Sequence, residues 1–304
     1  MSGEPLIVLI NREGGAASSA GPNLPDTVSA AFAKAGAQVD IHTLPGEELH
    51  EAVERAAASH RRVVVAGGDG TIASAAQVLA GTQVELAVLP LGTLNHFARD
   101  LGIPTILDDA ADLAVNGSSS PVDLGKVNER LFINNASVGL YSTMVKDRDR
   151  IQHRLHLPKW LASVPASWGT LSQMRHHRMR IDMGDGVAPI VTPLLFVGNN
   201  RYSLERGAVG CRDSLSDGTL AVYAVSHMTR LSLLWFGLRA TLGLADHAQD
   251  FEIVGDCQKM SVRSSGSTIE IGLDGEVQQM PLPLTFSIQV GALNVVAPHI
   301  APVT

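Results

Sequence analysis

The sequence predicts two domains, an α/β domain with a parallel sheet followed by a mainly antiparallel β domain. Up to about residue 120, strand-like apolar runs alternate with helical segments, and this alternation is typical of a parallel sheet. Beyond that point, short β-type runs follow one another with few helical segments between them. A stretch rich in glycine, serine and proline, residues 116–121, separates the two patterns. We therefore place the domains at residues 1–120 and 121–304, with the last apolar run, residues 293–297, able to return to the first domain.

Most predicted strands of the first domain are short apolar runs, and the first predicted helix has apolar residues at helical spacing. Asp26 is the predicted N-cap of the first helix, which ends at Gly36. A polar loop follows three of the strands, and parallel strands bring such loops to one edge of the sheet, where ligands bind. The strands are predicted at residues 6–10, 38–44, 63–66 and 85–89, the other helices at 47–59 and 72–80, and the loops at 11–15, 67–71 and 91–96.

The second domain is predicted to consist mainly of strands. Asp217-Gly218 and Asp274-Gly275 have the composition of hairpin turns, which by itself explains an Asp at each position. Two segments are predicted to be helical, residues 231–244 and a basic region between residues 144 and 180. The strands are predicted at residues 131–136, 188–197, 219–225, 251–255, 259–263, 268–273 and 284–290.

The composition, with 45% hydrophobic and 17% charged residues, is that of an ordinary globular protein. A net charge of −7 argues against general binding of nucleic acids. The longest apolar stretch, residues 231–245, is interrupted by Arg239 and is too short to span a membrane. The N-terminal residues lack the basic region and cleavage site of a signal peptide. Cys211 and Cys257 are isolated, so we expect a cytoplasmic protein with reduced thiols.

Basic residues are concentrated between residues 144 and 180, where eight Lys or Arg stand against two Asp. One interpretation is a solvated helical face. The other is a surface that contacts anionic lipid, because apolar residues and tryptophans such as Trp160 and Trp168 are interleaved with the charges. The second interpretation places the protein at the periphery of the inner face of the membrane.

The central feature of the sequence is residues 63–72, a buried strand that runs into a glycine turn and then a helix. Glycines let the backbone approach a ligand, and N–H groups at the start of a helix favour a phosphate. Asp69 would repel a phosphate unless a cation lies between them or its carboxylate binds ribose hydroxyls or loop amides. The turn therefore indicates a nucleotide, with or without Mg²⁺. A tight turn without a ligand is the alternative, since no complete dinucleotide fingerprint and no P-loop are present.

Two further acidic features have both structural and catalytic interpretations. Asp274 and Glu276 lie two residues apart, which on an extended chain places both carboxylates on one side. Such a pair suits a general base and an orienting partner, but a hairpin turn explains Asp274 equally well. Asp123 is either a polar turn residue or a carboxylate that faces the cleft between the domains.

Taken together, six motifs resemble the diacylglycerol kinase catalytic-domain family, in particular the bacterial soluble lipid kinases. They occur in the order of the family and span nearly the whole chain. A single motif would be weak, because NAD kinases share the glycine-aspartate turn, but six in order are specific. The matching residues are 67–71, 90–99, 122–125, 132–139, 216–220 and 273–276.

The resemblance implies an N-terminal α/β nucleotide domain, a C-terminal β-sandwich and an active site in the cleft between them. It implies a Mg²⁺ ion bound by the side chain of Asp217 and the backbone carbonyls of Ser214 and Thr219, an all-oxygen set as Mg²⁺ requires. Glu276 is carried over as the proton acceptor, with Asp274 as its close partner. The residues that would hold ATP are Asn11, Thr43, Gly67, Gly68, Asp69, Gly70, Thr71, Thr93 and Asn95.

The chain departs from the family at two places. Many members have Asn-Asp where this chain has Asn95-His96, so one carboxylate of the expected network of Asp, water and Mg²⁺ is missing. Many also have Asn-Glu where this chain has Ala73-Ser74. We interpret the histidine as a subfamily feature.

The function expected from the sequence is ATP-dependent phosphorylation of a lipid hydroxyl, on a diacylglycerol-like substrate that the sequence does not specify further. NAD kinase is one alternative, although residues 92–98 and the basic middle region favour a lipid. A regulatory protein that binds nucleotide and lipid without turnover is another, motivated by His96. An exposed sheet edge in the second domain would be one place for a homodimer.

Overall fold

The structure is a computed structural model and describes residues 5–13, 23–139, 177–184, 186–203, 211–224 and 252–298. These residues form two compact units. The first unit contains the described parts of Met1–Leu124, Ser214–Gly218 and Gln289–Thr304, and the second those of Gly125–Asp213 and Thr219–Ile288. The last strand therefore begins in the second unit and ends in the first.

The first unit is an α/β structure built on a parallel sheet. Its strands are β1 (Leu6–Asn11), β2 (Val39–Leu44), β3 (Arg62–Gly67) and β4 (Glu85–Pro90), and its helices are α1 (Leu24–Lys34), α2 (Leu49–Ala57), α3 (Asp69–Leu79), α4 (His96–Asp100) and α5 (Leu107–Asn116). The strand order is β2-β1-β3-β4, with all pairs parallel. The predicted parallel sheet and the alternation of strands and helices are confirmed.

The inner strands β1, β3 and β4 are mainly buried apolar runs because both of their faces are covered, whereas the edge strand β2 has exposed polar residues. Val63, Val64 and Val65 of β3 are all fully buried, as expected for a strand with helices on both faces. One apolar cluster joins Val8 of β1 and Val64 to Phe32 of α1. The sheet therefore holds the carboxyl ends of its strands on a rigid core.

Two helices of the first unit begin earlier than the sequence predicts. Asn23, not Asp26, occupies the N-cap position of α1, and Asp26 lies in the first turn. Pro25 explains the earlier start, because proline is favoured at the first positions of a helix. Helix α3 begins at Asp69 and not at residue 72. The predicted loop 67–71 is therefore mostly the first turn of a helix.

The second unit is an antiparallel β-sandwich. Its strands are β5 (Ser119–Val127), which starts in the first unit, β6 (Arg130–Phe132), β7 (Asn135–Gly139), β8 (His177–Asp182), β9 (Val187–Thr192), β10 (Leu194–Asn199), β11 (Leu220–Ala224), β12 (Glu252–Cys257), β13 (Lys259–Ser264), β14 (Thr268–Leu273), β15 (Glu276–Pro281) and β16 (Leu284–Val296). One sheet has the order β12-β11-β10-β7-β14-β15. Residues of this sheet and of β8, β13 and β16 share one apolar core, which confirms the predicted sandwich.

Several predicted elements of the second unit have different bounds. The run 188–197 is divided at Pro193, and the run 131–136 is divided at residues 133 and 134. Asp274-Gly275 is the hairpin turn between β14 and β15, as predicted. Asp217-Gly218 is not a two-residue hairpin turn, because it lies in the long connection between β10 and β11, which pair antiparallel. The final predicted run continues β16, whose Asn294 and Val295 pair with β4 in the first unit.

Parts of the sequence that carried predictions lie outside the described residues. These are the apolar segment 231–244 and most of the basic region, of which only residues 177–180 are described, in β8. Within the described ranges, no helix is long and apolar enough to cross a membrane.

Candidate functional site

The loops that follow β1 and β3 are joined by a side-chain hydrogen bond. Nδ2 of Asn11, at the carboxyl end of β1, donates to Oγ1 of Thr71 in the first turn of α3 at 2.9 Å. Thr71 is buried and packs on Gly67, where a Cβ atom would lie 2.5 Å from the threonine side chain. Thr71 thus occupies the space that a side chain at position 67 would need.

The loops that follow β3 and β4 pack backbone against backbone. A Cβ atom on Gly92 would lie 2.5 Å from the Cα atom of Gly68. Asn95, in the left-handed conformation with φ of 49°, organises the second loop. Its Oδ1 accepts from the Gly92 N–H at 2.9 Å, and its Nδ2 donates to the Gly92 carbonyl at 2.9 Å. The side chain of Asn95, predicted to bind the nucleotide, is thus engaged within its own loop.

Asp69 joins the glycine turn to helix α4. Its carboxylate accepts hydrogen bonds from the backbone N–H groups of His96 at 3.1 Å and Phe97 at 3.0 Å. Of the partners considered for this carboxylate, the structure therefore shows loop amides. Asp69 is the first residue of α3, and the N-cap position before it is Gly68, which has no side chain to cap the helix.

His96 contacts Arg99 on the same helix. The Arg99 Nη2 group lies 2.9 Å from Nδ1 of the imidazole. Because a guanidinium can only donate, Nδ1 accepts this hydrogen bond, and the ring proton is on Nε2. The position where the family resemblance predicts a carboxylate thus has an imidazole next to a guanidinium.

The remaining predicted nucleotide residues lie exposed around these loops. Gly70 is in the first turn of α3, and Thr93 is in the loop that follows β4. Thr43 lies at the end of β2, where it is in register with Ile10 of β1. All three belong to the carboxyl edge of the parallel sheet or to the turns that follow it.

A buried carboxylate fixes the loop that carries Asp217. Asp123 of β5 is fully buried, so it is not an exposed turn residue. Its Oδ2 accepts from the Gly218 N–H at 2.7 Å, and its Oδ1 accepts from the Gly291 N–H at 2.8 Å. The Asp123 N–H also donates to the carbonyl of Leu215 at 2.7 Å. The turn that contains Asp217 is therefore held from both ends by Asp123.

The three predicted metal ligands lie in the loop that precedes β11. The Asp217 side chain is exposed, and Ser214 lies in the same loop. Thr219 is held by Asn200, whose N–H donates to the Thr219 carbonyl at 3.0 Å and whose Oδ1 accepts from the Thr219 N–H at 3.3 Å. Within the described part of the chain, no three His, Cys, Asp or Glu side chains cluster as metal ligands. A cation here would thus depend on one carboxylate and on carbonyl oxygens, which Mg²⁺ accepts.

Asp274 is the turn residue of the β14–β15 hairpin, but its side chain points inward. Its carboxylate accepts three backbone N–H groups, from Ile133 at 2.9 Å, Asn134 at 2.7 Å and Asn135 at 3.1 Å. Burial raises the pKa of this carboxyl to about 6, although the three amides and the charge of Arg212 act to lower it. The group is thus mainly ionised at neutral pH.

Glu276 is the first residue of β15 and is exposed. The chain between Asp274 and Glu276 is not extended, because Asp274 and Gly275 have φ of 47° and 91°. The two carboxylates therefore do not lie on one side of an extended chain, and that prediction is wrong. Glu276 is in register with Leu273 on the paired strand.

The sequence analysis did not identify three polar residues around Asp274, namely Arg212, Asn199 and Tyr202. Arg212 and Asn199 are buried, and both donate hydrogen bonds to the carbonyl of Ile133. Ile133 belongs to the segment whose N–H groups donate to the Asp274 carboxylate. Tyr202 donates from its hydroxyl to the carbonyl of Asn134 at 3.2 Å. A polar run such as Asn199-Asn200 at the end of an apolar strand is the one signal that the sequence offers for this cluster.

The first unit is thus of the α/β class, with glycine turns at the carboxyl edge of its parallel sheet, and the second unit is an antiparallel β-sandwich. Known proteins agree with this class. The model of the diacylglycerol kinase catalytic domain matches residues 5–127. A solved diacylglycerol kinase structure from Bacillus anthracis has the same fold, with a TM-score of 0.67, 20% identity and coverage of 98% of each chain.

Sequence relatives identify the family. The chain is 31% identical over 275 residues to a diacylglycerol kinase of Mycobacterium tuberculosis (strain H37Rv), covering 86% of each protein. It is 30% identical over 279 residues to a diacylglycerol kinase of Bacillus subtilis (strain 168), covering 88% of each. The chain belongs to the diacylglycerol kinase family.

Proposed function

We propose that the chain is an ATP-dependent lipid kinase that transfers the γ-phosphate of ATP to a hydroxyl of a diacylglycerol-like lipid. The observation that carries this proposal is the N-terminus of α3, which opens at Gly68 without a side chain at the N-cap position and is flanked by loops that Asp69 and Asn11 hold in place. Helix N-termini with free amides favour phosphate groups. The nucleotide would lie along this edge of the parallel sheet, with Thr43 and Thr93 exposed beside it.

The donor set around Asp217 fits a Mg²⁺ ion. It would combine the Asp217 carboxylate with the carbonyls of Ser214 and Thr219, and the hydrogen bond from Gly218 to Asp123 keeps the turn in shape. When bound, the ion would neutralise negative charge near the transferred phosphate. The side chains around the ion would differ from those that the family resemblance predicts, because His96 cannot supply a carboxylate.

Glu276 is the proposed general base. The lipid hydroxyl would give its proton to the Glu276 carboxylate while its oxygen bonds to the γ-phosphorus. The bond from that phosphorus to the oxygen bridging the β-phosphate breaks, which yields the phosphorylated lipid and ADP. The exposed carboxylate at the start of β15 supports this role, because a base must be accessible to its substrate.

A lipid acceptor also requires access to a bilayer, and we include peripheral contact with an anionic membrane in the proposal. Arg178 and Arg180 of β8 are exposed and belong to the basic region of the sequence. Sedimentation with vesicles of neutral lipid, with and without an anionic lipid, tests this contact. Binding should depend on the anionic lipid and weaken with added salt.

The activity is tested by a transfer assay with γ-labelled ATP, Mg²⁺ and diacylglycerol in mixed micelles. NAD replaces the lipid in a parallel reaction. The Glu276→Gln variant should lose at least about 100-fold in kcat, in line with the contribution of a general base. It should bind ATP like the wild-type protein. Glu129→Gln, which changes an exposed carboxylate on the turn between β5 and β6, is the matched control.

Three outcomes are informative. Label in the organic phase that Glu276→Gln removes supports the kinase and the base. Normal turnover by Glu276→Gln shows that the base assignment is wrong. Label in NAD, or in neither acceptor while ATP still binds, contradicts the lipid kinase proposal.

A further inference from the structure

Arg212 is a buried arginine that the proposed reaction does not use. The residue is only 3% exposed. Its Nη1 group donates to the carbonyl oxygens of Ile133 at 2.7 Å and Asn199 at 3.1 Å, and its Nη2 group donates to Oδ1 of Asn134 at 2.6 Å. Its guanidinium carbon also lies 5.5 Å from the ring centroid of Tyr202. A planar guanidinium suits several acceptors in fixed directions, whereas a lysine ammonium does not.

Arg212 and Asp274 hold the same stretch of backbone from opposite sides. Asp274 binds the N–H groups of residues 133–135, while Arg212 binds the carbonyl of Ile133. The Asn199 side chain adds a second donor to that carbonyl, at 2.9 Å. Charges of opposite sign on the two sides polarise the same peptide groups, so each strengthens the hydrogen bonds made by the other.

This backbone stretch anchors the hairpin turn that carries Glu276. The Asp274 N–H donates to the carbonyl of Asn135 at 3.0 Å, in addition to the three bonds that its carboxylate accepts. Among the described residues, none forms a hydrogen bond or ion pair with the Glu276 carboxylate. The position of that carboxylate therefore depends on the backbone of the turn, and the turn depends on Asp274.

We propose that Arg212 is a positioning residue for phosphoryl transfer, which acts through residues 133–135 and Asp274 on the carboxylate of Glu276. This inference rests on the proposed function, because it takes Glu276 as the base. The contacts of Arg212 given above are with residues 133, 134, 199 and 202, so we expect its substitution to lower the rate of transfer and to leave the binding of ATP unchanged.

The kinetic test compares Arg212→Met and Arg212→Lys with the wild-type protein. Activity is expressed per molecule that binds a fluorescent ATP analogue, so that loss of folded protein does not enter the rate. For Arg212→Met, kcat should fall by about 100-fold, the loss that follows a small misplacement of a catalytic group. Arg212→Lys should recover part of that loss, and KM for ATP should stay unchanged in both. Arg263→Met, which removes an exposed arginine from β13, is the matched control.

A second measurement does not need activity. Thermal unfolding of Arg212→Met, Asp274→Asn and the double variant forms a double-mutant cycle. The loss of Tm in the double variant should be clearly smaller than the sum of the single losses. If Arg212→Met does not fold, Arg212→Lys takes its place in both measurements.

The outcomes separate this inference from the proposed function. Wild-type kcat in Arg212→Met, or Tm losses that simply add, would overturn the role of Arg212. A rise in KM for ATP as large as the fall in kcat would also overturn the role of Arg212, because it would indicate general distortion of the protein. A wild-type protein that transfers no phosphate would overturn the proposed function, whereas the Tm cycle would still report whether Arg212 and Asp274 are coupled.

Discussion

The carboxylate of Asp69 accepts a hydrogen bond from the backbone N–H of Phe97 at 3.0 Å, and this bond joins the start of α3 to the start of α4. Asp69 itself follows Gly68, and Phe97 follows the loop that contains Gly92. The two glycines are in close contact, so the carboxylate secures a contact that only glycines permit. The acidic residue of the central turn thus binds protein amides at the start of α4.

Asp69→Asn should weaken this connection. An asparagine can accept from the amides of His96 and Phe97 with one oxygen only, so we expect a loss of about 1–3 kcal/mol in the free energy of unfolding. ATP affinity should fall by roughly tenfold, because the two loops separate. Urea denaturation and calorimetric titration with ATP measure the two effects. Asp109→Asn, at an exposed position of α5, is the control, and equal effects in both variants would contradict the argument.

A second prediction concerns the ion pair of Arg62 and Glu85, which is mostly buried. Arg62 Nε donates to Glu85 at 2.8 Å, and its Nη groups donate to the carbonyls of Ala114 at 2.7 Å and Gly117 at 3.0 Å, at the end of α5. Arg62→Met removes the charged partner of Glu85, which keeps only the hydroxyl of Ser119 as a side-chain donor among the described contacts, and it removes a donor from the carbonyls of α5, so it should cost about 3–5 kcal/mol of stability. Arg55→Met, on the surface of α2, should cost far less.

The pH dependence of this ion pair has a definite sign. Burial alone raises the pKa of Glu85, but hydrogen bonds from Ser119 and Arg62 outweigh burial, and the net pKa is lowered. The contribution to stability is therefore present above the ordinary pKa of 4.5 and is lost as pH falls through the lowered value. Glu85→Gln should remove this dependence in urea denaturation between pH 7 and pH 3. An unchanged dependence would show that other carboxyl groups cause it.

The first unit was largely predictable from the sequence because its signals are local. Buried parallel strands appear as continuous apolar runs, and the run at Val63–Val65 is interrupted only by the glycines that end it. Helix starts were less predictable, since Asp69 resembles a loop residue in the sequence but begins α3. Its partner, Phe97, is 28 residues away, and no local pattern indicates such a contact.

The polar cluster of the second unit was not predictable for the same reason. Arg212 contacts a carbonyl 79 residues earlier in the chain, and Asp274 binds amides up to 141 residues away. The sequence correctly indicates a hairpin at Asp274-Gly275, but turn composition does not reveal that the Asp side chain points inward. Long-range polar contacts follow from the packed fold and not from residue spacing.

Asp123→Asn tests the proposed Mg²⁺ site through a residue that would not bind the ion itself. The Asp123 carboxylate holds the N–H of Gly218, next to the proposed ligand Asp217. Loss of such a supporting partner typically lowers metal affinity or activity by about 10–100-fold. The half-saturating Mg²⁺ concentration in the transfer assay should rise accordingly, and EDTA should abolish transfer by the wild-type protein. Asp182→Asn, on β8, is the control, and an unchanged Mg²⁺ requirement in Asp123→Asn would contradict the site.

Asp274 should impose a pH dependence of opposite sign to that of Glu85. Because its pKa is raised from 3.8 to about 6, the folded protein holds the proton more tightly than the unfolded chain. Its favourable contribution is present below pH 4 and is lost as pH rises through 6. The stability of the wild-type protein relative to Asp274→Asn should therefore fall by up to about 3 kcal/mol between pH 4 and pH 7. Urea denaturation of both proteins across this range measures it, and a constant difference would contradict the raised pKa.

The contact between Gly68 and Gly92 predicts that alanine substitutions at these two positions differ in the size of their effects. A Cβ atom on Gly92 would lie 2.5 Å from the Cα atom of Gly68, a distance that forces backbone to move, whereas a Cβ atom on Gly68 would lie 3.2 Å from the Cα atom of Gly92. Gly92→Ala should therefore weaken ATP binding and stability more than Gly68→Ala does. For Gly92→Ala we expect a cost of about 1–3 kcal/mol, as for overpacking in a tight interior.

The order of the two variants is the decisive observation. Gly92→Ala also brings a methyl group within 2.5 Å of Oδ1 of Asn95, which should disturb the side chain that organises the loop. Calorimetric titration with ATP and urea denaturation of both variants measure the order. Gly68→Ala could weaken ATP binding as much as Gly92→Ala does while costing less stability. The additional loss of ATP affinity would then come from a bound phosphate close to Gly68, since a new methyl group there would contact the ligand directly. If neither variant changes ATP binding, the nucleotide does not lie at these loops.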